Sequence, residues 1–358
     1  VVVVDGKAAS FVTGRLRMSG AQMTRRFYGV PLEEQGDSER CGFPVELIDR
    51  VLCPKDSGRL TRISTEFALY VRQGWVHCDS CNTSYEIRSG ILRLVPGQKE
   101  VEALVRTELE ARDQGAARYD GRFRPWENAV ELSAIHAAVK FGRRGIMVDL
   151  ACGTGRLTSQ LAPFAEATIA VDLSEKSLRV LAKKLEPDVK VGLVWSDATQ
   201  LRLAPGSIDL ALATQFLEHI PNRAQRLRFF RAVHTALRDG GELVLSAYYY
   251  SALRALLRRK QEGFHANGIF YHRFTKSEMK SELADLFQVL WTRPIQVDPR
   301  LLPVSNRATT FVARGLEKMR MPFWVGQLLL VKASKRAVGM AGTKDHRAIE
   351  ESVKACEP

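Results

Sequence analysis

The sequence predicts an α/β protein built on a largely parallel sheet and preceded by a small β-rich segment. From Arg143 onward, short apolar runs alternate with amphipathic helical stretches, the pattern of strands whose crossover helices cover a buried sheet. Between Val45 and Pro96, turn residues punctuate short runs such as SYEIRSGILRLV, whose alternation has the period of strands. With 358 residues, 45% hydrophobic and 26% charged, the chain can bury a full core, which excludes a disordered or collagen-like protein.

Taken in order, residues 1–44 are rich in Gly, Ser and charge without steady periodicity and read as a loose leader. The opening VVVVDGKAAS is apolar for only four residues and has no basic flank, so it does not read as a secretory signal. The first residue is not Met, which points to a non-AUG start or a fragment, with Met18 and Met23 as candidate starts. Residues 45–97 form the β module, and 98–142 a helical linker or lid in which Leu132, Ile135 and Val139 share a face before Gly142. Seven strands follow in 143–336: GIMVDL from Gly145, TIAV from Thr168, VKVGLV from Val189, IDLALA from Ile208, ELVLS from Glu242, FQVLW from Phe287 and QLLLV from Gln327. Ser174 caps a helix carrying Leu178, Leu181 and Leu185, and Asn222 caps one carrying Leu227, Phe230 and Leu237 before Gly240 and Gly241. The long gaps, 247–275 and 292–325, read as insertions beyond strand ends, where open α/β sheets bind substrates. Residues 337–358 read as a flexible tail. The apolar stretch from Met321 to Val331 is broken by Pro322, Gly326 and Gln327 and falls short of the roughly 20 residues of a membrane span.

Cysteine usage and charge narrow the setting. Of six cysteines only Cys78 and Cys81 stand two residues apart, which argues against a disulfide scaffold and for a reducing, cytoplasmic home. The net charge of +13 is concentrated in residues 251–340, which hold 16 Lys and Arg against 6 Asp and Glu. Such a region attracts nucleic acid, an anionic membrane surface or an acidic substrate, or is a solvated basic face.

The strongest chemical motif is VDLACGTGRLT, Val148 to Thr158: a buried strand, a glycine-rich turn and a helix starting near Arg156. Gly153 and Gly155 allow a ligand close to the backbone. The dinucleotide pattern needs a third glycine where Thr158 stands. Asp172, ending the second strand, can accept both ribose hydroxyls. Asp197, after the third, can accept from an adenine amino group, with Ala198 flat against the base, and Asp149 can hold an ammonium group. An adenosine at one end and a zwitterionic amino acid at the other describe S-adenosylmethionine.

In VDLACGTG, AVDLS, SDATQL, SIDLALATQFLEHI and LRDGGELVLS the chain resembles the class I S-adenosylmethionine-dependent methyltransferases, of the small-molecule type of methyltransferase domain families 11 and 25, over about residues 119 to 336. The resemblance implies a Rossmann-like seven-stranded sheet of order 3-2-1-4-5-7-6 with the last strand antiparallel. It also implies a cofactor site that includes Ala151, Thr154 and Leu173, in which Gly153 and Gly155 line the methionine part, Asp172 the ribose, and Asp197 with Ala198 the adenine, while the Gln215 carbonyl meets the methionine ammonium. After the fourth strand stands QFLEHI, not the Asn- or Asp-Pro-Pro-aromatic motif of nucleobase amino-methylating enzymes, and no cysteine lies between 153 and 355 to serve cytosine C5 chemistry. The Glu218-His219 pair is common in ubiquinone-pathway O-methyltransferases, but Gln215 replaces the Glu that helps those enzymes bind a divalent metal. His219 is then either a general base toward an acceptor hydroxyl or a residue that orders its loop. Tyr248, Tyr249, Tyr250, His265, Tyr271, His272 and Arg273 are candidates to shape the acceptor pocket.

A second constellation, Cys53-Pro54-Lys55-Asp56 and Cys78-Asp79-Ser80-Cys81, has the knuckle spacing of a zinc ribbon with Asp56 in place of one cysteine. The stretch from Leu52 to Pro96 resembles zinc-ribbon partners of tRNA methyltransferases and the amino-terminal zinc module of rRNA guanine methyltransferases. Cys53, Cys78 and Cys81 with Asp56 or His77 can bind zinc, or the site has become a hydrogen-bonded turn. The first functional reading is methyl transfer to oxygen, nitrogen or carbon of a small or lipid-like acceptor, favoured by the apolar LLPV and MPFW of the second insertion. An RNA methyltransferase ranks second and a non-catalytic S-adenosylmethionine-binding partner third.

Overall fold

The computed structural model describes residues 42–62, 69–95, 103–139, 145–297, 308–318 and 324–336, all within the compact unit Arg40–Pro358. Residues 1–41 of the predicted leader, Gly142, the LLPV segment, most of MPFW and the predicted tail lie outside the described residues, while Phe43 and Pro44, expected in the leader, form a strand.

The amino-terminal strands are β1 (Phe43–Pro44), β2 (Leu60–Arg62), β3 (Tyr70–Val71), β4 (Gln73–Cys78), β5 (Ser84–Arg88) and β6 (Ile91–Arg93). Helices α1 (Ala103–Gly115) and α2 (Pro125–Ala138) lead to β7 (Ile146–Leu150), α3 (Thr158–Leu161), β8 (Ala167–Asp172), α4 (Glu175–Ala182), β9 (Val191–Trp195) and β10 (Ile208–Thr214). Then come α5 (Arg223–Ala236), β11 (Leu237–Tyr248), α6 (Ala252–Leu256), the hairpin of β12 (Glu262–Phe264) and β13 (Phe270–His272), α7 (Lys276–Leu283), β14 (Phe287–Val297), α8 (Thr309–Lys318) and β15 (Gly326–Lys335).

The apolar runs of β7 to β10 are buried because helices cover both faces of the sheet. Val148, Ile169 and Val171 pack on one side in a cluster with Phe229, Phe230 and Phe287, while Met147, Ala170 and Leu193 pack on the other with Leu161, Leu178 and Leu181. Each large side chain so buried contributes about 1.5–3 kcal/mol.

All seven expected strands form, in the expected order 3-2-1-4-5-7-6, and β15 runs antiparallel to both β11 and β14. The amino-terminal β module forms and continues the same sheet. β6 pairs parallel with β9 through Ile91↔Leu193 and Arg93↔Trp195, and β5, β4 and β2 add on antiparallel, so one sheet of eleven strands spans both segments. A β9 left at the edge would expose a row of unpaired N–H and C=O groups, and β6 satisfies them.

Several boundaries move for local reasons. α3 begins at Thr158 and gives way after four residues to a 3₁₀ turn, Ala162–Phe164, because Pro163 cannot donate the next helical hydrogen bond. Ser174 and Asn222 cap α4 and α5, accepting from Ser177 N and Ala224 N at 3.1 and 2.8 Å. Leu185 falls beyond the end of α4, and Leu237 already belongs to β11. β14 continues through Val297 into the predicted second insertion, and the first insertion holds α6 and the β12–β13 hairpin. No helix among the described residues is long and apolar enough to cross a membrane.

Candidate functional site

The carboxyl ends of β7, β8, β9 and β10 open onto a cavity of about 260 Å³. On one side lies the turn after β7. Ala151 and Gly153 both adopt φ near +60° there, and a Cβ on Gly153 would meet nothing within 4 Å, so its bare backbone faces open space. Gly155 plays a different part from the one expected. It does not line the cavity, and a Cβ there would collide with the Leu181 side chain, so its bareness lets the turn settle against α4.

Asp172 closes the turn. Its Oδ2 accepts from Gly153 N at 2.7 Å and its Oδ1 from Ser174 N at 2.8 Å, while the carboxylate still lines the cavity. Burial pushes its carboxyl above the ordinary range, opposed by those two N–H groups. Leu173, Asp197 and Ala198 line the same end. Asp197 accepts from Thr199 N and Oγ1 through a single oxygen, both at 2.8 Å, and burial raises its pKa as well. Thr154 lines the cavity and donates to Asp120 Oδ1 at 2.5 Å. Asp149 lies beneath the turn instead of in the wall. Its Oδ2 accepts from Thr158 Oγ1 at 2.6 Å, its Oδ1 is buried without a partner, and burial lifts its pKa to about 7.

At the other end Gln215 and His219 line the cavity among Phe216, Ile220, Pro221 and Phe270. Gln215 holds φ +51° at the end of β10, donates its N–H to Ser246 O at 2.8 Å and turns its amide onto Glu131. His219 Nδ1 donates to the Phe270 carbonyl at 2.8 Å, which leaves Nε2 as the acceptor. Burial, reinforced by Arg112, lowers its pKa to about 4, so the ring is neutral near pH 7. Three residues outside the motifs complete the walls, and a buried acid supports them from behind. Glu108, Arg112 and Tyr119, on and just after α1, line the cavity, with Arg112 paired to Glu108 at 3.0 Å. Glu131, fully buried on α2, pairs with Arg156 at 2.7 Å behind Gln215.

A family profile described as "Methyltransferase domain" matches residues 148–245, which run from β7 into β11. The chain is 28% identical over 200 residues to the ubiquinone biosynthesis O-methyltransferase of Ralstonia nicotianae, covering 53% of this chain and 82% of that protein. It is 33% identical over 103 residues to the protein of the same name from Cupriavidus pinatubonensis, covering 28% and 40%. Residues 148–245 form a methyltransferase domain, of the class I S-adenosylmethionine-dependent kind. Solved structures similar to this methyltransferase include one from Mesorhizobium loti described as S-adenosylmethionine dependent (24% identity, 58% of this chain and 99% of that one, TM-score 0.44). Another is the 1,6-didemethyltoxoflavin-N1-methyltransferase of Burkholderia thailandensis (19%, 73% and 99%, TM-score 0.47).

The residues expected to shape an acceptor pocket in this methyltransferase do not line the cavity. Tyr249 is buried, and its strand position pairs with Phe274. His272 is held by Glu278 at 2.6 Å and Glu262 at 3.2 Å. Arg273 lies over the Tyr271 ring and donates to the Lys260 carbonyl. Tyr248 and Tyr271 pack against His265, and Tyr248 also meets His219, so they stand behind the wall that Phe270 supplies.

In the amino-terminal segment the ligand atoms of Cys53, Asp56, Cys78 and Cys81 all lie within 4.8 Å of one another. His77 is not part of this group. Cys53 Sγ stands 3.6 Å from Cys81 Sγ and 3.0 Å from Tyr85 OH, and Cys78 Sγ donates to Asp56 Oδ1 at 3.3 Å. Tetrahedral zinc with bonds of about 2.3 Å to sulfur sets its thiolates about 3.8 Å apart, so three thiolates and a carboxylate at these separations fit that ion. Burial raises the Cys78 thiol to about 11, the cost that a bound cation would remove.

Proposed function

We propose that the cavity binds S-adenosylmethionine and that the methyl group passes to a hydroxyl oxygen of a small, largely apolar acceptor. One observation carries this reading: a single cavity has Asp172 and Asp197 at one end and His219 within an apolar ring of Phe216, Ile220, Pro221 and Phe270 at the other. Ala151, Gly153 and Thr154 receive the methionine part, Asp172 and Leu173 the ribose, Asp197 and Ala198 the adenine. Asp149, with its unpartnered Oδ1, draws the ammonium electrostatically from beneath, and Gln215 bounds the same end of β10. The bound cofactor supplies a sulfonium-activated methyl. Because displacement at that carbon is in line, most of what the chain contributes is alignment. Neutral His219, with Nε2 open, accepts the acceptor's hydroxyl proton. The relatives named as ubiquinone biosynthesis O-methyltransferases favour oxygen. Incubating the protein with methyl-labelled cofactor and a lipid-soluble cell extract should label a small apolar product. Label found only in RNA overturns the acceptor class.

Since His219 titrates near 4, it stays in its basic form across neutrality. The pH profile of kcat should therefore show no loss as pH falls from 8 through about 6.5, the ordinary imidazole value. An acid limb at that value that disappears in His219→Asn would contradict the neutral ring. The same shift makes folding depend on pH. The unfolded chain binds a proton that the folded one refuses, so this contribution is complete above about 6.5 and is lost as pH falls toward about 4.

The Cys53, Asp56, Cys78 and Cys81 group is read as a zinc site, with thiolates selecting zinc over harder ions. Elemental analysis of protein purified without chelator should find zinc at no more than one per chain, and it should be lost in Cys78→Ser.

The first insertion is read as the contact with an anionic membrane surface that delivers an apolar acceptor. Leu256, Leu257 and Trp324 are exposed beside Arg258, Arg259 and Lys260, and the Leu253 N–H reaches Trp324 O at 3.4 Å. Each basic residue contributes about 1 kcal/mol near acidic lipid, so reversing all three to Glu should cut attachment to phosphatidylserine-containing vesicles more than roughly tenfold. Micromolar RNA binding at about 150 mM salt, abolished by the same reversal, would put an RNA substrate first.

A further inference from the structure

The cysteine-cluster segment is joined to the cofactor cavity by two separate routes, and both end on residues that line it. The first runs through the sheet. β6 lies beside β9, and after it the Leu94 N–H donates to the Trp195 carbonyl at 2.9 Å. The Arg93 guanidinium sits 5.0 Å from the Trp195 ring and bonds Glu175, in the first turn of α4, at 2.7 Å. The Trp195 indole N–H in turn donates to the Leu173 carbonyl at 2.7 Å. Leu173 and Val95, the latter two residues beyond β6, both line the cavity. The second route leaves from Cys53 itself. Its neighbour Leu52 donates to the Arg202 carbonyl at 2.9 Å, Val51 bridges Leu203, and the Ala204 N–H donates to Arg50 O at 2.8 Å. That stretch directly follows Asp197, Ala198, Thr199 and Gln200, all in the cavity wall, and Leu201 N closes back on the Asp197 carbonyl at 3.0 Å.

We propose that this segment is a working wall of the methyltransferase site: Val95 and Arg93 position the adenosine end of the cofactor, and a zinc ion on Cys53, Asp56, Cys78 and Cys81 fixes them there. The proposal rests on the cavity being the S-adenosylmethionine site. Val95 touches the ligand's space, whereas Arg93 acts through Trp195 and Glu175 and is a positioning residue. The cluster governs both routes because Cys53 directly follows Val51 and Leu52, which bridge Leu203 and bond Arg202, while its sulfur lies 3.0 Å from Tyr85 on β5, which pairs with β6. At the cluster itself, beside the β2–β4 ladder, the knuckle side chains meet through weak contacts such as Cys78 to Asp56 at 3.3 Å. Four coordinate bonds to one ion replace those contacts with a rigid crosslink. Cofactor affinity and zinc affinity are then coupled, and linkage requires each to raise the other by the same factor.

The test titrates the full chain with S-adenosylhomocysteine by calorimetry, zinc-loaded and after chelation, beside Val95→Trp and Arg93→Met. Chelation should weaken binding about five- to twentyfold, with recovery on adding zinc back, and the product should protect zinc from a chromophoric chelator by the same factor. Val95→Trp should weaken binding at least about tenfold with zinc content and circular dichroism unchanged, and Arg93→Met by about threefold to tenfold. Equal affinity with and without zinc in folded protein overturns the coupling, as does a chain that takes up no zinc. Wild-type affinity in Val95→Trp and Arg93→Met overturns the wall. If chelation unfolds the chain, those two zinc-loaded variants decide the wall, and protection of zinc by the product decides the coupling. Zinc-loaded wild type that fails to bind the product refutes the cofactor reading instead.

Discussion

Replacing Asp172 with alanine is expected to weaken S-adenosylmethionine binding by about 1.5–3 kcal/mol, roughly ten- to 150-fold in Kd. The carboxylate does two things at once. It faces the cavity as a charged acceptor for ribose hydroxyls, and its two oxygens hold Gly153 N and Ser174 N, which fixes the glycine turn against the start of α4. Alanine removes the ligand contact and releases two N–H groups that had one partner between them. Asp172→Asn keeps one oxygen acceptor but no charge, so it should fall between wild type and alanine. Calorimetry at constant pH measures all three, and thermal denaturation shows whether the turn has loosened. Unchanged affinity in a folded Asp172→Ala protein, or a preference for NAD, would sink the cofactor assignment.

Substituting Arg226 should have the largest effect on stability, about 3–5 kcal/mol for Arg226→Met. Arg226 and Glu282 are 4% and 2% exposed and bonded at 2.6 to 3.1 Å, so removing the cation strands a carboxylate in the core. The same guanidinium donates to the Ile220 and Pro221 carbonyls and lies over Phe274, tying the loop of the cavity wall to α7. Two measurements separate these roles. In urea denaturation the double variant Arg226→Met with Glu282→Leu should regain most of the lost stability, because no charge is left unpaired. Its acceptor KM should remain raised, because the two carbonyls are still released. A double variant no more stable than the single one would show that the buried charge is not the source of the loss.

How much of this was readable beforehand depended on the range of the interaction concerned. The order of the seven strands followed from apolar runs and a recognisable series of motifs, and Ser174 and Asn222 cap as their residue types lead one to expect. The cavity acids Asp172 and Asp197 stand at strand ends, where spacing alone marks them. Arg112 and Glu108 could not be found that way. They sit on a helix with no motif and reach the cavity only because the chain packs α1 beside α4. Gly155 was misread because a glycine that admits a ligand and one that admits Leu181 look alike in sequence. The three tyrosines at the end of β11 suggested a pocket by their number, yet alternation along an extended chain turns Tyr249 into the core while Tyr248 and Tyr250 stay half-buried. SYEIRSGILRLV was legible as strand, but not its partner, since nothing in a short apolar strand names a parallel neighbour so far along the chain.

That parallel junction also bears on how the protein is made. Ile91 leaves the ribosome about a hundred residues ahead of Leu193, its partner across the junction, and synthesis at roughly 5–20 residues per second puts some seconds between them. During that interval β2, β4, β5 and β6 can pair only among themselves, and the outer edge of β6 stays open. A nascent chain has every reason to protect such an edge. Early zinc capture by the two knuckles would let the amino-terminal strands wait as a closed unit until β9 arrives, so zinc starvation during synthesis should lower the soluble yield more than zinc removal harms the finished protein.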